Sequence, residues 1–133
     1  MSFPEEIRTR LTSLGAGTST DVLIGPASAI PPTGAYTHLT ETPGLTPERT
    51  QNAVTTPAYQ RPSMQITIGA ASWSLARARA KAAYDALVGV RNTTLSGTWY
   101  REVNLDQEPF DFPLDVAGRP RVIFNISAVK RPS

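Results

Sequence analysis

Three stretches of the chain alternate apolar and polar residues at the period of a β-strand. In Ser63-Met64-Gln65-Ile66-Thr67-Ile68, Met64, Ile66 and Ile68 point one way and the polar residues the other. Thr98 to Leu105 is predicted to place Trp99, Val103 and Leu105 on one face with Leu95 and Gly97, leaving Thr98, Tyr100, Glu102 and Asn104 on the other. Arg101 interrupts the apolar face, as a residue near an edge or in a pair would. Arg121 to Val129 turns Val122, Phe124, Ile126 and Ala128 inward.

Between the first two strands, Ser72 to Val88 changes to helical period. Trp73, Ala76, Ala80, Ala83, Tyr84 and Leu87 fall within about 80° at about 100° per residue, a stripe expected to face the sheet. Arg77, Lys81 and Asp85 lie opposite. A second row, Leu75, Ala78, Ala82 and Ala86, is small and uncharged. It has two readings: alanine used as the best helix former, or a flank packed on a neighbouring subunit. At the N-terminus, Ser2, Pro4 and Glu5 read as a capped helix start. Ile7, Leu11 and Leu14 share a face, and Gly15 and Gly17 end the helix.

From Pro26 to Pro62 the pattern breaks down. This segment holds seven of the 12 prolines and eight threonines, and only Tyr36 to Glu41 resembles a strand. It is either a solvated loop or an arm, Pro43 to Pro62 above all, that orders against other subunits. The expected fold is a single α+β domain over residues 1–133. It has a four-stranded antiparallel sheet with one long helix packed on a face, a short N-terminal helix, and a loop-rich arm at 26–62 containing at most one short strand.

At 133 residues, 40% apolar and 18% charged, the chain is long enough for one core and low in charge for a soluble surface. With no cysteine it has neither disulfides nor thiolate metal sites. No signal-peptide pattern or membrane-length apolar run occurs, so no membrane partner and a cytosolic product are expected. The net charge of +2 comes without a basic run. Arg77, Arg79, Lys81 and Arg91 are the candidates for phosphate contacts in a small DNA-binding module.

Catalytic chemistry needs a base, a nucleophile or a metal in convergent positions. The single histidine, His38, has no His or Cys near it in the sequence and is expected at the surface. Asp106, Glu108, Asp111 and Asp115 match no calcium-loop spacing, and Pro109 and Pro113 interrupt them, so a solvated loop is the expectation. Gly15-Ala16-Gly17 lacks the Lys and the preceding strand of a phosphate loop. Asp115 and Arg119, at the ends of a Gly-containing turn, are expected to pair across it, shaping the turn or gripping a neighbour. No enzyme, cofactor or metal site is therefore expected.

The order of elements resembles the tail-terminator or tail-completion proteins of long-tailed bacteriophages, also called minor capsid proteins. The resemblance is carried by the N-terminal helix with Asp21-Val22-Leu23-Ile24-Gly25, by Tyr59-Gln60-Arg61-Pro62-Ser63-Met64-Gln65-Ile66, and by Ala83-Tyr84-Asp85-Ala86-Leu87. Asp115-Val116-Ala117-Gly118-Arg119 leading to Phe124-Asn125-Ile126 completes it. It implies a structural virion protein forming a closed ring, commonly six-fold, that caps the tail tube, ends its polymerisation and meets the neck. The implied partners are copies of itself, the tail tube protein, a neck or head-completion protein, and genome DNA passing through the lumen without sequence-specific binding. A portal-side neck ring is the alternative within the same class. Leu75, Ala78, Ala82, Ala86, Tyr59, Asp115 and Arg119 are the candidate interface residues.

Overall fold

In a computed structural model that describes residues 2–18, 20–26, 30–31, 33–48 and 59–131, the strands outnumber those expected. The order is α1 (Phe3–Ser13), β1 (Val22–Ile24), β2 (Tyr36–Glu48), β3 (Tyr59–Gly69), α2 (Trp73–Leu87), β4 (Arg91–Leu95), β5 (Thr98–Leu105), β6 (Phe110–Phe112) and β7 (Arg121–Lys130). The expected four-stranded antiparallel sheet is replaced by a curled, seven-stranded mixed sheet of order β1-β2-β3-β7-β5-β4, with β6 paired to β7. The β1–β2 pair is parallel; the other pairs are antiparallel.

The additional strands escape the periodicity argument for physical reasons. β1 has three residues, too few to show a period. β4, Arg-Asn-Thr-Thr-Leu, buries only Leu95, and β6 is exposed along its length between Pro109 and Pro113. The segment 26–62 also contributes more than one short strand: β2 runs to Glu48 and β3 begins at Tyr59. β2 passes Pro43 and Pro47 through register shifts between Thr42 and Leu45 and between Leu45 and Glu48. Such shifts leave a residue out of the ladder, which suits a residue without an N–H. The Pro43 to Pro62 arm lies partly outside the described residues, at 49–58.

Both helices occur close to their expected bounds. Ser2 caps α1 through a reciprocal capping box with Glu5. α2 starts at the Ser72 cap and lies against β3, β5 and β7. Its buried stripe is Ala76, Ala80, Ala83, Ala86 and Leu87. Tyr84 packs edge-on against Phe124 with ring centroids 5.9 Å apart. Trp73 is only half-buried and lies under the Arg77 guanidinium.

Along β7, Val122, Phe124, Ile126 and Ala128 are buried as expected. β5 departs from its expected phase. An irregularity in its pairing with β7 between Tyr100 and Glu102 inserts one residue, so Tyr100 and Val103 are both buried. Tyr100 thus enters the core, while Trp99 is half-buried beside Tyr59 and Arg131.

α1 touches β1 and β2 near one edge of the curled sheet and β4 at the other, as well as α2. Phe3, Ile7 and Leu11 are its apolar contribution, and Glu6 is wholly buried among them. Glu6 Oε1 accepts hydrogen bonds from Lys130 Nζ and from the Tyr100 hydroxyl, each at 2.8 Å. The Lys130 ammonium lies 5.7 Å from the Phe3 ring centroid and 5.5 Å from that of Tyr100. Burial, then the bond to Glu6 and its charge, push the Tyr100 hydroxyl well above its ordinary pKa, so it stays a donor.

Phe124→Ala and Leu87→Ala are each expected to cost about 2–5 kcal/mol in urea denaturation, because both side chains are fully enclosed. Losses near zero at both would contradict the packing. Lys130→Met should cost about 3–5 kcal/mol by leaving the Glu6 carboxylate buried without its cation. Glu6→Gln in the same chain should recover part of that loss, and a double variant as weak as Lys130→Met would argue against a charge effect.

Candidate functional site

The expected interface residues lie in three separate places. Leu75, Ala78 and Ala82 form an exposed row on α2. Ala82 borders a shallow cleft with Gly15, Ala16, Gly17, Thr18 and Asp21. Ala86, fourth in the row, is buried, and its carbonyl accepts a hydrogen bond from Arg10 Nε of α1 at 3.1 Å. The open flank is therefore Leu75, Ala78 and Ala82.

Tyr59 belongs to a second group, at the far end of β3. Its ring lies 6.2 Å from Trp99 and carries the Arg101 guanidinium at 5.4 Å, while Arg131 covers Trp99 at 5.0 Å. Arg101 is thus partnered, as the break in alternation indicated.

Asp115 and Arg119 form the third place and do pair across their turn. Arg119 Nε donates to Asp115 Oδ2 at 2.8 Å, and the backbone N–H groups of Ala117 and Arg119 donate to Oδ1. The Tyr36 hydroxyl donates to Oδ2 at 3.1 Å, and a second Arg119 nitrogen donates to the Gly34 carbonyl. Both charged side chains are nearly enclosed, with side-chain exposures of 8% for Asp115 and 11% for Arg119. The Tyr36 ring lies across Gly69, where a Cβ would overlap the phenol, so glycine is required there by close approach. Sequence reasoning missed Tyr36 and Gly69 because the link joins residues 79 positions apart. A cleft of about 340 Å³ opens beside the cluster, edged by Ile30, Pro31, Val116 and Arg121.

Burial raises the Asp115 carboxyl, but the Arg119 backbone N–H, the Tyr36 hydroxyl and the Arg119 guanidinium together outweigh it and hold the pKa below the ordinary value. Tyr36 moves up, through burial and then the Asp115 charge and hydrogen bond.

The basic residues of α2 are mostly occupied. Arg77 pairs with Asp111, Lys81 with Asp85 at 2.8 Å, and Arg79 with Asp21 at 2.9 Å while also donating to Thr37 Oγ1. Arg77 and Lys81 nevertheless remain exposed, and Arg91, the fourth candidate, is exposed on β4 opposite Glu102. The same contacts divide the acidic loop: Asp111 turns to α2, Asp115 to its own turn, and Asp106 accepts from Ser127 Oγ. Glu108 and Asp111 line one cleft together with Arg77, Lys81 and Asp85, while Asp106 and Asp115 are held elsewhere.

His38, expected at the surface, is 7% exposed. Its Nε2 donates to the Gly25 carbonyl at 2.6 Å, fixing the chain where it leaves β1. Among the described residues no helix is long and apolar enough to cross a membrane.

No protein-family model matches the chain, and no curated protein matches it either. Among solved structures it is similar to a chain of the virion of a native gene transfer agent (GTA) particle. The two share 18% identity and a TM-score of 0.64, over 98% of this chain and 96% of that one. At that identity the likeness establishes a common fold along nearly the whole of both chains.

Because the folded-state pKa of Asp115 is depressed, its stabilisation is present above the unfolded value of about 3.9 and is lost as pH falls through the folded pKa. Asp115→Asn should be less stable than the natural protein by about 1–3 kcal/mol at neutral pH. The difference should shrink below about pH 4. Denaturation midpoints of both proteins across that range provide the check, and a pH-independent gap would contradict the assignment.

Proposed function

We propose that this protein is a structural component of a phage-like virion, acting as a tail terminator. In this reading its copies form a ring, a hexamer, that caps the tail tube, stops its polymerisation and forms part of the join to the head. The observation that carries the reading is the nearly end-to-end likeness of fold to a chain of the GTA virion. The element order and motifs that resemble tail terminators agree with it. The work would be packing and polar complementarity without turnover, and the product would reside in the virion after assembly in the host cytoplasm. Its partners would be its own copies, the tail tube protein, a neck or head-completion protein, and the DNA passing through the lumen.

A ring requires two different patches on each subunit that meet by a closing rotation. The exposed Leu75-Ala78-Ala82 row suits one such patch: its small residues allow a neighbour's backbone to approach closely. Tyr59 and the Asp115–Arg119 turn are further candidate contacts, each held rigidly by the partners described above.

Ala82→Glu is expected to block ring assembly while leaving the monomer's circular dichroism and thermal midpoint unchanged. Size-exclusion chromatography with light scattering reads the first and melting the second. Particles assembled without the protein should carry overlong tails, or finished tails unattached to heads. Normal virions with tails of normal length would refute the proposal.

A further inference from the structure

Both helices pack on the sheet face that buries Met64, Ile66, Phe124 and Ile126. The residues between these along β3 and β7 point the other way, and the pairing register sets them in rows. Ser63 stands opposite Ser127, and Ser127 opposite Asn104 of β5; Gln65 stands opposite Asn125. All five are half-buried or exposed. The side chains of Ser63, Gln65, Asn104 and Asn125 form no hydrogen bond with a described residue. The large exposed apolar side chains lie beyond these rows. This part of the face therefore offers hydroxyls and amides to a hydrated partner, without the apolar anchors that a protein interface core uses.

One end of the rows is cationic. Arg131 donates its backbone N–H to the Trp99 carbonyl at 3.0 Å and lays its guanidinium over the Trp99 ring. Arg101 lies over Tyr59, and Arg91 of β4 stands opposite Glu102. These three arginines share one carboxylate among the described side chains, Glu102, which is 3.8 Å from Arg101. That pair is open to solvent and contributes little, so a phosphate can take the carboxylate's place. The ring contacts fix the guanidinium groups and leave their charge intact. Asp106, towards the other end of the rows, accepts from Ser127 Oγ.

We infer that this helix-free face meets duplex DNA, through its phosphates rather than its bases. The arginines supply charge, and the hydroxyl and amide rows supply the neutral donors that commonly bond phosphate and sugar oxygens. Tyr59 and Trp99 are covered by guanidinium groups, so they present no bare ring for the base stacking that binds single strands. The inference rests on the DNA partner of the proposed function and names the surface for it; in the ring this face would line the passage.

The test uses the full chain and a fluorescent duplex of mixed sequence, with anisotropy read from about 20 to 200 mM salt. Light scattering on the same samples records whether rings are present. Arg131→Glu removes a cation, Gln65→Glu adds a carboxylate within the uncharged rows, and Lys81→Glu reverses a charge on α2, across the sheet. Melting confirms that each variant folds. The natural chain is expected to bind more weakly as salt rises. Arg131→Glu should weaken binding to unrelated sequences alike and reduce the salt slope by about one, and Gln65→Glu should lower affinity severalfold. Lys81→Glu should leave affinity unchanged at about 100 mM salt, where charges more than about 10 Å away are screened. No binding by the natural chain at the lowest salt, or a loss in Lys81→Glu with none in the sheet variants, overturns the inference. Rings that bind no DNA leave the ring reading standing without it. DNA binding that the sheet variants weaken, in a chain that never forms rings, keeps the inference and removes the ring reading.

Discussion

A strongly curled sheet leaves a seam between its first and last strands, and here α1 fills that seam. The helix reaches β1 and β2 on one side and β4 on the other. It is held at its buried centre by one carboxylate, Glu6, which takes a proton donor from β7 and another from β5. An ammonium and a carboxylate removed from water are costly unless close and well bonded. The aromatic faces of Phe3 and Tyr100 around Lys130 reduce that cost and exclude solvent. Glu6 Oε2 is buried with no hydrogen-bond partner among the described residues. That unsatisfied oxygen offsets part of what the two bonds to Oε1 contribute.

A second fastening works at the other end of the molecule. Gly69 lets the Tyr36 ring cross β3, and the phenol reaches Asp115, which in turn organises its own turn through Arg119. The exposed segment from Phe110 to Val116 is thus held between two anchors, the Arg77–Asp111 pair and the Asp115 turn. Apolar side chains on a segment held this way are presented to a partner with little ordering entropy left to lose. Of the ion pairs along α2, Arg79–Asp21 is largely buried, whereas Arg77–Asp111 and Lys81–Asp85 remain exposed to solvent. The outer face of α2 therefore offers a partner charged side chains beside the Leu75-Ala78-Ala82 row.

The parts of the fold legible in the sequence are those whose residues alternate against a single large core. β3, β7 and α2 each have one buried face and one polar face, so period and position suffice. β1, β4 and β6 bury too little for a period to emerge, and their place in the sheet is dictated by tertiary pairing. β5 misleads because a single inserted residue reverses its phase, which moves Tyr100 inward and Trp99 away. The Asp115–Arg119 pair was readable because it is local. Its link to Tyr36, the burial of His38 and the Glu6–Lys130 bond depend on residues far apart in sequence, and nothing in their local pattern signals them. Glu6 in particular sits in an ordinary amphipathic helix where a carboxylate normally faces water.

These features bear on function through rigidity. Many of the polar groups described above fasten one element to another. Asp21 and Asp115, against the burial that would raise them, and Asp111 are each held below the ordinary carboxylate range by an arginine and hydrogen bonds. Each joins parts of the chain distant in sequence or shapes a turn. In the proposed ring, stiff subunits would transmit the geometry of one contact to the next, where small angular errors would otherwise accumulate. The near-complete overlap with a virion chain at 18% identity shows that the placement of these elements is kept while most side chains differ.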